Sequence, residues 1–316
     1  MVTYETFMEQ WRDSSRWIEA HTSGSTGLPK VIRLLKSDME ASAWATNAFF
    51  GITRDSVLGL PLSMDYIAGK MMAVRAFVAG CRMLQLDVSN RFELPERVDL
   101  LSVVPSQLPH VLQSFTPAQT GRLLVGGAPV DEATETEVVN AGFESYIGYG
   151  MTETCSHVAL RRFGSGPVYH AMDGISFDVD NDSCLGVCSD SFSWKRLQTN
   201  DIVRLHSDNA FEWLGRRDNI INSGGIKVPA EQAENLLRSL IPSLPQFYIV
   251  GEPDERWGTR VAMVAECDES EASQIKELLA KVSLPKGWRP GAVHCVAELP
   301  RTSNGKIRRL PVSRIC

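Results

Sequence analysis

Apolar residues in the first half of the chain gather into short runs separated by turn residues and by helically spaced stretches. Val57–Leu60 and residues 100–104 are continuous apolar runs stopped by Pro61 and Pro105, and they predict buried strands. Ser37 and Glu40 have the spacing of a capping box, predicting a helix over residues 41–50 that ends at Gly51. Residues 123–125 read as a strand, residues 131–140 as a helix with acidic side chains in its first turn, and residues 146–149 as the next strand. That is a βαβ crossover, which requires a parallel sheet. Gly126-Gly127-Ala128 and Gly148-Tyr149-Gly150 then fall at or just beyond strand carboxyl ends, the edge at which open α/β sheets bind ligands.

Between residues 176 and 212 the pattern changes to short polar–apolar alternation with many turns, as in antiparallel strands. A new pattern begins after Gly215-Arg216-Arg217-Asp218. Residues 230–240 and 271–281 read as helices, and residues 247–250, 261–265 and 293–296 as strands. The expected fold is α/β. A large domain over residues 1–217 carries a parallel sheet and a β-rich part, and a small α+β domain occupies residues 218–316, with the boundary near Asp218.

Composition narrows the function classes. An apolar share of 43% with 22% charged residues is that of an ordinary soluble globular protein, and a net charge of −6 gives no reason to expect nucleic acid or an anionic membrane as partner. No apolar run is long enough to span a bilayer, and residues 1–17 lack the apolar core of a signal peptide. The seven cysteines are scattered and odd in number, which fits reduced thiols in a cytoplasmic protein. Cys184 and Cys188 lack a second pair to complete a tetrahedral zinc site. Cys155 and His157 have the types of a nucleophile and its base, but their segment has a stronger rival reading.

Four clusters carry candidate chemistry. Thr22, Ser23, Gly24, Ser25, Thr26, Gly27 and Lys30 pack hydroxyls, glycines and a cation into nine residues, which suits a phosphate as well as it suits a flexible surface turn. It is not a Walker loop, because Leu28-Pro29 separates Gly27 from Lys30. Tyr149, Gly150, Met151, Thr152 and Glu153 follow a strand and offer an aromatic for a base, a hydroxyl for a phosphate and a carboxylate for Mg²⁺. Asp201 and Arg216 are an acid and a guanidinium of the kind that grips ribose hydroxyls, or that simply stays solvated. Lys306, in Ser303-Asn304-Gly305-Lys306, is a point charge beside a glycine turn in an otherwise basic tail.

In order and spacing these clusters resemble the adenylate-forming superfamily of acyl-CoA synthetases, peptide-synthetase adenylation domains and luciferases, from about His21 to Arg309. The resemblance implies ATP and Mg²⁺ as cofactors and CoA as a substrate. Thr22–Lys30 match the phosphate loop, Gly126, Gly127 and Ala128 the adenine side, and Tyr149 to Glu153 the Mg²⁺ and phosphate segment. Asp201 matches the ribose acid, although the usual Thr-Gly-Asp is Thr199-Asn200-Asp201 here. Asp218 falls at the family's hinge, Gly224 and Gly225 on its CoA side, and Lys306 at its adenylation lysine. Segments 60–62, 69–83, 102–108 and 124–128 look like those of o-succinylbenzoate–CoA ligases of menaquinone synthesis. Tyr66, Lys70, Arg75, Ser106 and Gln107 are then the candidate acid-binding residues, with Arg75 facing solvent as the alternative. Two departures stand out: Ser63-Met64-Asp65-Tyr66 replaces an aromatic–His pair, and most of the family's first subdomain is missing.

The implied reaction is attack of a carboxylate on the α-phosphorus of MgATP, then acyl transfer to CoA after the small domain rotates. Lys306, Thr152 and Glu153 take the catalytic positions. The rival readings are another aryl- or acyl-CoA synthetase, or a non-catalytic nucleotide-binding remnant. The partners expected are a small carboxylate, ATP and CoA, with neither nucleic acid nor membrane; a homodimer is compatible with all of this.

Overall fold

The protein is described by a computed structural model over residues 2–21, 31–301 and 307–315. Along the chain the elements are α1 (Tyr4–Arg12), β1 (Trp17–His21), β2 (Val31–Leu35), α2 (Lys36–Phe50), β3 (Val57–Leu60), α3 (Ile67–Ala79), β4 (Arg82–Gln85) and β5 (Leu100–Val103). There follow α4 (Leu108–Ser114), α5 (Pro117–Thr120), β6 (Arg122–Val125), α6 (Glu132–Asn140), β7 (Glu144–Met151), β8 (Ser156–Arg162) and β9 (Val168–Ala171). Then come β10 (Ile175–Val179), β11 (Cys184–Ser189), β12 (Arg196–Ser207), β13 (Ala210–Arg216), β14 (Ile220–Ser223) and β15 (Ile226–Pro229). The last are α7 (Ala230–Leu240), β16 (Phe247–Asp254), β17 (Gly258–Glu266), α8 (Glu269–Lys281) and β18 (Ala292–Val296).

The chain divides into two compact units. The first is Met1–Asp178 with Gly186–Leu197 and Leu205–Glu212; the second is Val179–Leu185, Gln198–Arg204 and Trp213–Cys316. The large sheet has the order β10-β11-β12-β13-β9-β8-β7-β6-β5-β3-β4. Strands β4, β3, β5, β6 and β7 are mutually parallel, as the βαβ reading requires; β8 runs antiparallel to β7, and β9 antiparallel to β8.

The central parallel strands β3, β5 and β6 are mostly apolar because both faces of the sheet are covered there. Leu100 and Leu124 enter one core with Met39, Phe50 and Met71 of α2 and α3, while their neighbours Leu101, Leu123 and Val125 enter another with Leu108 and Val138 of α4 and α6. Phe7, Met8 and Trp11 of α1 join the first core.

One expected start is corrected. Helix α2 begins at Lys36 and not at residue 41, and its N-cap Leu35 makes no side-chain bond, so Ser37 and Glu40 form no capping box. Tertiary contacts fix that end instead. Lys36 N–H donates to Arg16 O at 2.9 Å, and the buried Asp38 carboxylate accepts from Ser193 N–H at 2.8 Å and Ser193 Oγ at 2.6 Å.

In the second unit β16, β17 and β18 form a three-stranded sheet, antiparallel then parallel. Helix α7 has the bounds that its 3.6-residue pattern predicts, and α8 opens on a capping box between Asp268 and Glu271. Ala233, Leu237, Ile275 and Leu279 cover one face, over Phe247, Ile249 and Met263.

Candidate active site

Four parallel strands, β3, β5, β6 and β7, deliver their carboxyl ends to one edge of the sheet, so the segments following them lie together there. The strand order reverses between β3 and β5: from β3 the chain moves outward to β4, then returns to β5 on the other side. Such a reversal opens a crevice, the usual ligand position in this class of sheet. The loop after β3 leads to Tyr66 at the start of α3, and the loop after β5 holds Ser106 and Gln107.

Gln107 works as a clasp across that reversal. It is 2% exposed; its Oε1 accepts from Val104 N–H at 3.0 Å, and its Nε2 donates to Pro61 O at 3.1 Å and Ser89 O at 2.8 Å. Its polar atoms are thus engaged with the backbone of three loops. Ser106 is exposed and donates to Asn90 Oδ1 at 3.0 Å.

Beyond β6, Gly126 has open space where a side chain would stand, and Gly127 takes a φ of +89°. Beyond β7 the chain makes a tight turn through Thr152, Glu153 and Thr154. Thr154 Oγ accepts from Met151 N–H at 2.9 Å and donates to Ser156 O at 2.7 Å. Gly150 is obligatory: a Cβ there would stand 1.9 Å from Ser156 O, at the irregularity in the β7–β8 register. Tyr149 packs edge-on to Phe211 at 5.0 Å. Thr152 is half-buried and Glu153 exposed at the sheet edge. No group of three or more metal-ligating side chains exists among the described residues. One carboxylate beside a hydroxyl suits Mg²⁺ carried in on nucleotide phosphates rather than held in a protein cage.

Behind this turn is a buried polar cluster. Arg75 is 1% exposed on α3, so its solvent-facing alternative does not hold. Its Nη2 donates to Ser156 Oγ at 2.7 Å; among the described residues its Nη1 meets only the Met72 sulfur at 3.5 Å, and its Nε has no partner. Burial lowers its pKa to about 9, which leaves it charged at neutral pH. Cys155 and Ser156 hold positive φ values of 59° and 148°, a strained pair next to the cation. His157 is buried and held neutral, first by burial and then by the nearby Arg75. Thr46 Oγ donates to Ser42 O at 2.9 Å, so the 3.1 Å contact with His157 assigns the ring proton to Nε2. Burial and then Asp38 push the Cys155 thiol up, which removes the nucleophile reading of that pair. Lys70, also buried, lies over the Phe7 ring at 5.4 Å, and burial lowers its pKa.

The second unit has its own constellation. Asp201 Oδ1 accepts from Trp213 Nε1 at 3.2 Å and from Arg216 Nη1 at 3.4 Å, so the two candidate ribose-binding residues are paired with each other. Arg216 Nη2 also donates to Asp218 at 2.9 Å. Asn200, where the sequence departs from Thr-Gly-Asp, donates to Asp218 at 3.3 Å and accepts from Arg217 at 2.6 Å. Gly224 and Gly225 form the β14–β15 turn with φ of +57° and +83°, and Trp257 lies so close to Gly224 that a Cβ would stand 2.5 Å from its ring. Thr22, Ser23, Gly24, Ser25, Thr26, Gly27, Lys30 and Lys306 lie outside the described residues.

The half-buried Ser156 and Arg309 and the buried Glu231 and Glu234 take part in polar networks of the two units without having been assigned a role in the sequence. The signal available was the Ser-His step after Thr152-Glu153-Thr154 and the two acids one turn apart on α7.

Comparison with known proteins adds the family. Residues 19–179 match AMP-binding enzyme, and residues 238–306 match AMP-binding enzyme C-terminal domain. A 2-succinylbenzoate–CoA ligase of Enterococcus faecalis is 25% identical over 92% of this chain and 67% of its own. One from Staphylococcus aureus is 25% identical over 91% of this chain and 65% of its own. The chain therefore spans about two thirds of the length of these curated relatives. An acyl-CoA synthetase (AMP-forming)/AMP-acid ligase II-like protein from Dyadobacter fermentans superposes with a TM-score of 0.62 at 31% identity, covering 96% of this chain and 90% of that one. The o-succinylbenzoate coenzyme A synthetase of Bacillus subtilis, solved with ATP and magnesium, shares the fold at TM-score 0.77 and 22% identity, over 92% of this chain and 68% of that one.

Proposed function

Because the chain belongs to the AMP-binding enzyme family, we propose that it activates a carboxylate as an acyl-adenylate and passes the acyl group to CoA, with o-succinylbenzoate as the acid. The observation that carries the reading is the meeting of Gly126, Gly127, Tyr149, Thr152 and Glu153 at one sheet edge, beside the reversal between β3 and β5.

In-line attack on the α-phosphorus builds negative charge on both sides of it, so the site needs cations and donors more than a base. Lys306 would neutralise the carboxylate and α-phosphate, Thr152 would donate to that phosphate, and the Thr22–Lys30 loop would hold the outer phosphates. Glu153 would hold Mg²⁺, which when bound offsets phosphate charge. Asp201 and Arg216 would receive the ribose. Arg75, with Lys70 as the other candidate, would be the cation for the second carboxylate of an aromatic diacid: it is buried, charged and matched by no carboxylate within salt-bridge distance among the described residues. Asp218 would be the hinge between half-reactions, with Gly224 and Gly225 on the CoA side. A different aryl acid is the second reading. It is favoured by Gln107, whose polar atoms already bind backbone, and by the Ser63-Met64-Asp65-Tyr66 loop.

The test is pyrophosphate release from MgATP with o-succinylbenzoate, benzoate or a medium-chain fatty acid, with and without CoA. Release specific to o-succinylbenzoate, with its thioester identified by mass, is expected. Lys306→Ala should lose about two orders of magnitude, the scale of one preorganised charge. Release only with another acid would move the substrate, and silence with all of them would leave a nucleotide-binding protein.

A further inference from the structure

The reading above rests the first half-reaction on Lys306; the residues flanking that lysine are tied to the hinge by a chain of buried carboxylates that the reaction itself does not call for. Arg301 and Ile307 form an antiparallel bridge on either side of residues 302–306, and Arg308 N–H donates to Pro300 O at 2.7 Å. Two residues past that bridge, Arg309 turns onto α7. Its Nη2 donates to Glu234 Oε2 at 2.8 Å, its Nη1 to Glu234 Oε1 and, at 3.2 Å, to Ile249 O, and its Nε stands 3.6 Å from Glu231 Oε1. This is a two-pronged guanidinium–carboxylate pair whose planar geometry fixes orientation as well as distance. Glu234 is 4% exposed and also accepts from Ile249 N–H at 2.7 Å, so it is immobile itself.

Glu231, one turn earlier on α7 and 7% exposed, faces both ways. Its Oε1, the atom nearest Arg309, also accepts from Asn219 Nδ2, and its Oε2 accepts from Arg216 N–H at 3.5 Å. Asn219 and Arg216 bracket Asp218. Gly215 carries a φ of +148°, and a Cβ there would press on Glu231 Oε2 at 2.8 Å, so the backbone before the hinge is shaped around this carboxylate. Tyr248 Oη donates to Leu310 O at 2.9 Å and holds the next residue of the tail.

We propose that Arg309 is a positioning residue for adenylation: gripped by Glu234 and Glu231, it sets residues 307–310, which follow Lys306 in the chain, in fixed register with the hinge residues on either side of Asp218. The proposal rests on the assignment of Lys306 above. Its consequence is selective. Loosening the grip impairs the half-reaction that needs Lys306 and spares the one that does not.

The experiment uses the full chain as wild type, Arg309→Lys, Glu234→Gln and Lys306→Ala. Adenylation is read by ATP–pyrophosphate exchange, and acyl transfer by thioester formation from a chemically prepared acyl-adenylate and CoA. Arg309→Lys keeps the charge but loses the fork; it should lower the exchange kcat by about tenfold to a hundredfold, the scale of misplacing a reacting group, with KM for ATP unchanged. Acyl transfer should remain at the wild-type rate, which also reports that the variant is folded. Glu234→Gln should fall on the same side. Hydrogen exchange of the residue 307–310 amides should quicken in both variants while that of β17 does not. Equal loss in both half-reactions, a changed KM for ATP in place of kcat, or wild-type exchange in Arg309→Lys would overturn the proposal. Wild-type activity with a fully active Lys306→Ala would instead overturn the assignment of the lysine, and a wild type silent in exchange with every acid would remove both.

Discussion

Replacing Gln107 with leucine tests whether the crevice at the strand reversal is held open by one side chain. Leucine is close to glutamine in size, so little cavity results, and the loss is that of three hydrogen bonds. Ser89 is exposed, and water replaces its partner. Pro61 is buried and Val104 half-buried, so their carbonyl and amide are left wanting at about 1–2 kcal/mol each, the lower part of the usual range because Val104 keeps some solvent, or about 2–4 kcal/mol together. Against a total stability of about 5–15 kcal/mol this is a large share. In urea, with a slope of about 3 kcal/mol per molar, the midpoint should fall by about 1 M with the slope unchanged. Gln107→Glu should do no better at neutral pH. It keeps an acceptor for Val104 but turns a carboxylate oxygen towards Pro61 O and Ser89 O. Steady-state kinetics give a second reading: KM for the acid should rise in Gln107→Leu while KM for ATP holds, because the clasp joins the loops after β3 and β5 and none beyond β6. A midpoint shift below about 0.2 M, or equal changes in both KM values, would refute the clasp.

Two further outcomes follow from the same region. Gly150→Ala drives a methyl group into Ser156 O, and the paired strands on both sides prevent escape; it should cost about 3 kcal/mol or more, read as a fall in Tm of at least several degrees. His157 is neutral in the fold but takes up a proton when unfolded below its usual 6.5, so stability should fall as pH drops below that value, by up to about 1.4 kcal/mol per pH unit. His157→Gln should remove that part of the slope in urea midpoints taken at about pH 5 and about pH 6.5; parallel slopes in the two proteins would count against a buried neutral ring.

The parts of this protein that could be read from sequence are those in which neighbours along the chain decide the outcome. The run Val57–Leu60 is a strand with the expected bounds, and α7 likewise, because a buried strand and a strongly amphipathic helix each impose their own period. The sheet edge was legible too, since βαβ connectivity forces consecutive strands to end on the same side. Long-range bonds override such local signals. The start of α2 is fixed by Ser193 gripping Asp38 across 155 residues, against a Ser37–Glu40 spacing that looked sufficient. Arg75 sits among alanines, valines and methionines, and whether such a residue faces solvent depends on what packs over it. Here α1 and α2 cover α3 on the sheet, and Ser156, 81 residues on, receives the cation. Glu234 and Arg309 lie 75 residues apart, and each reads alone as a surface charge.

The first unit is assembled from three separate stretches of chain, with pieces of the second inserted between them. During synthesis, therefore, the first unit cannot be finished when residue 178 leaves the ribosome. Ala171 N–H waits for Asn209 O, and β9 for residues 210–212 of β13. Until those emerge, β9 is a bare edge with unpaired amides, open to pairing with another nascent chain. A truncated gene ending anywhere between codons 179 and 209 should give aggregated product, and one ending after codon 212 should recover it. Any attempt to graft a different small domain onto this enzyme has to cut after that strand.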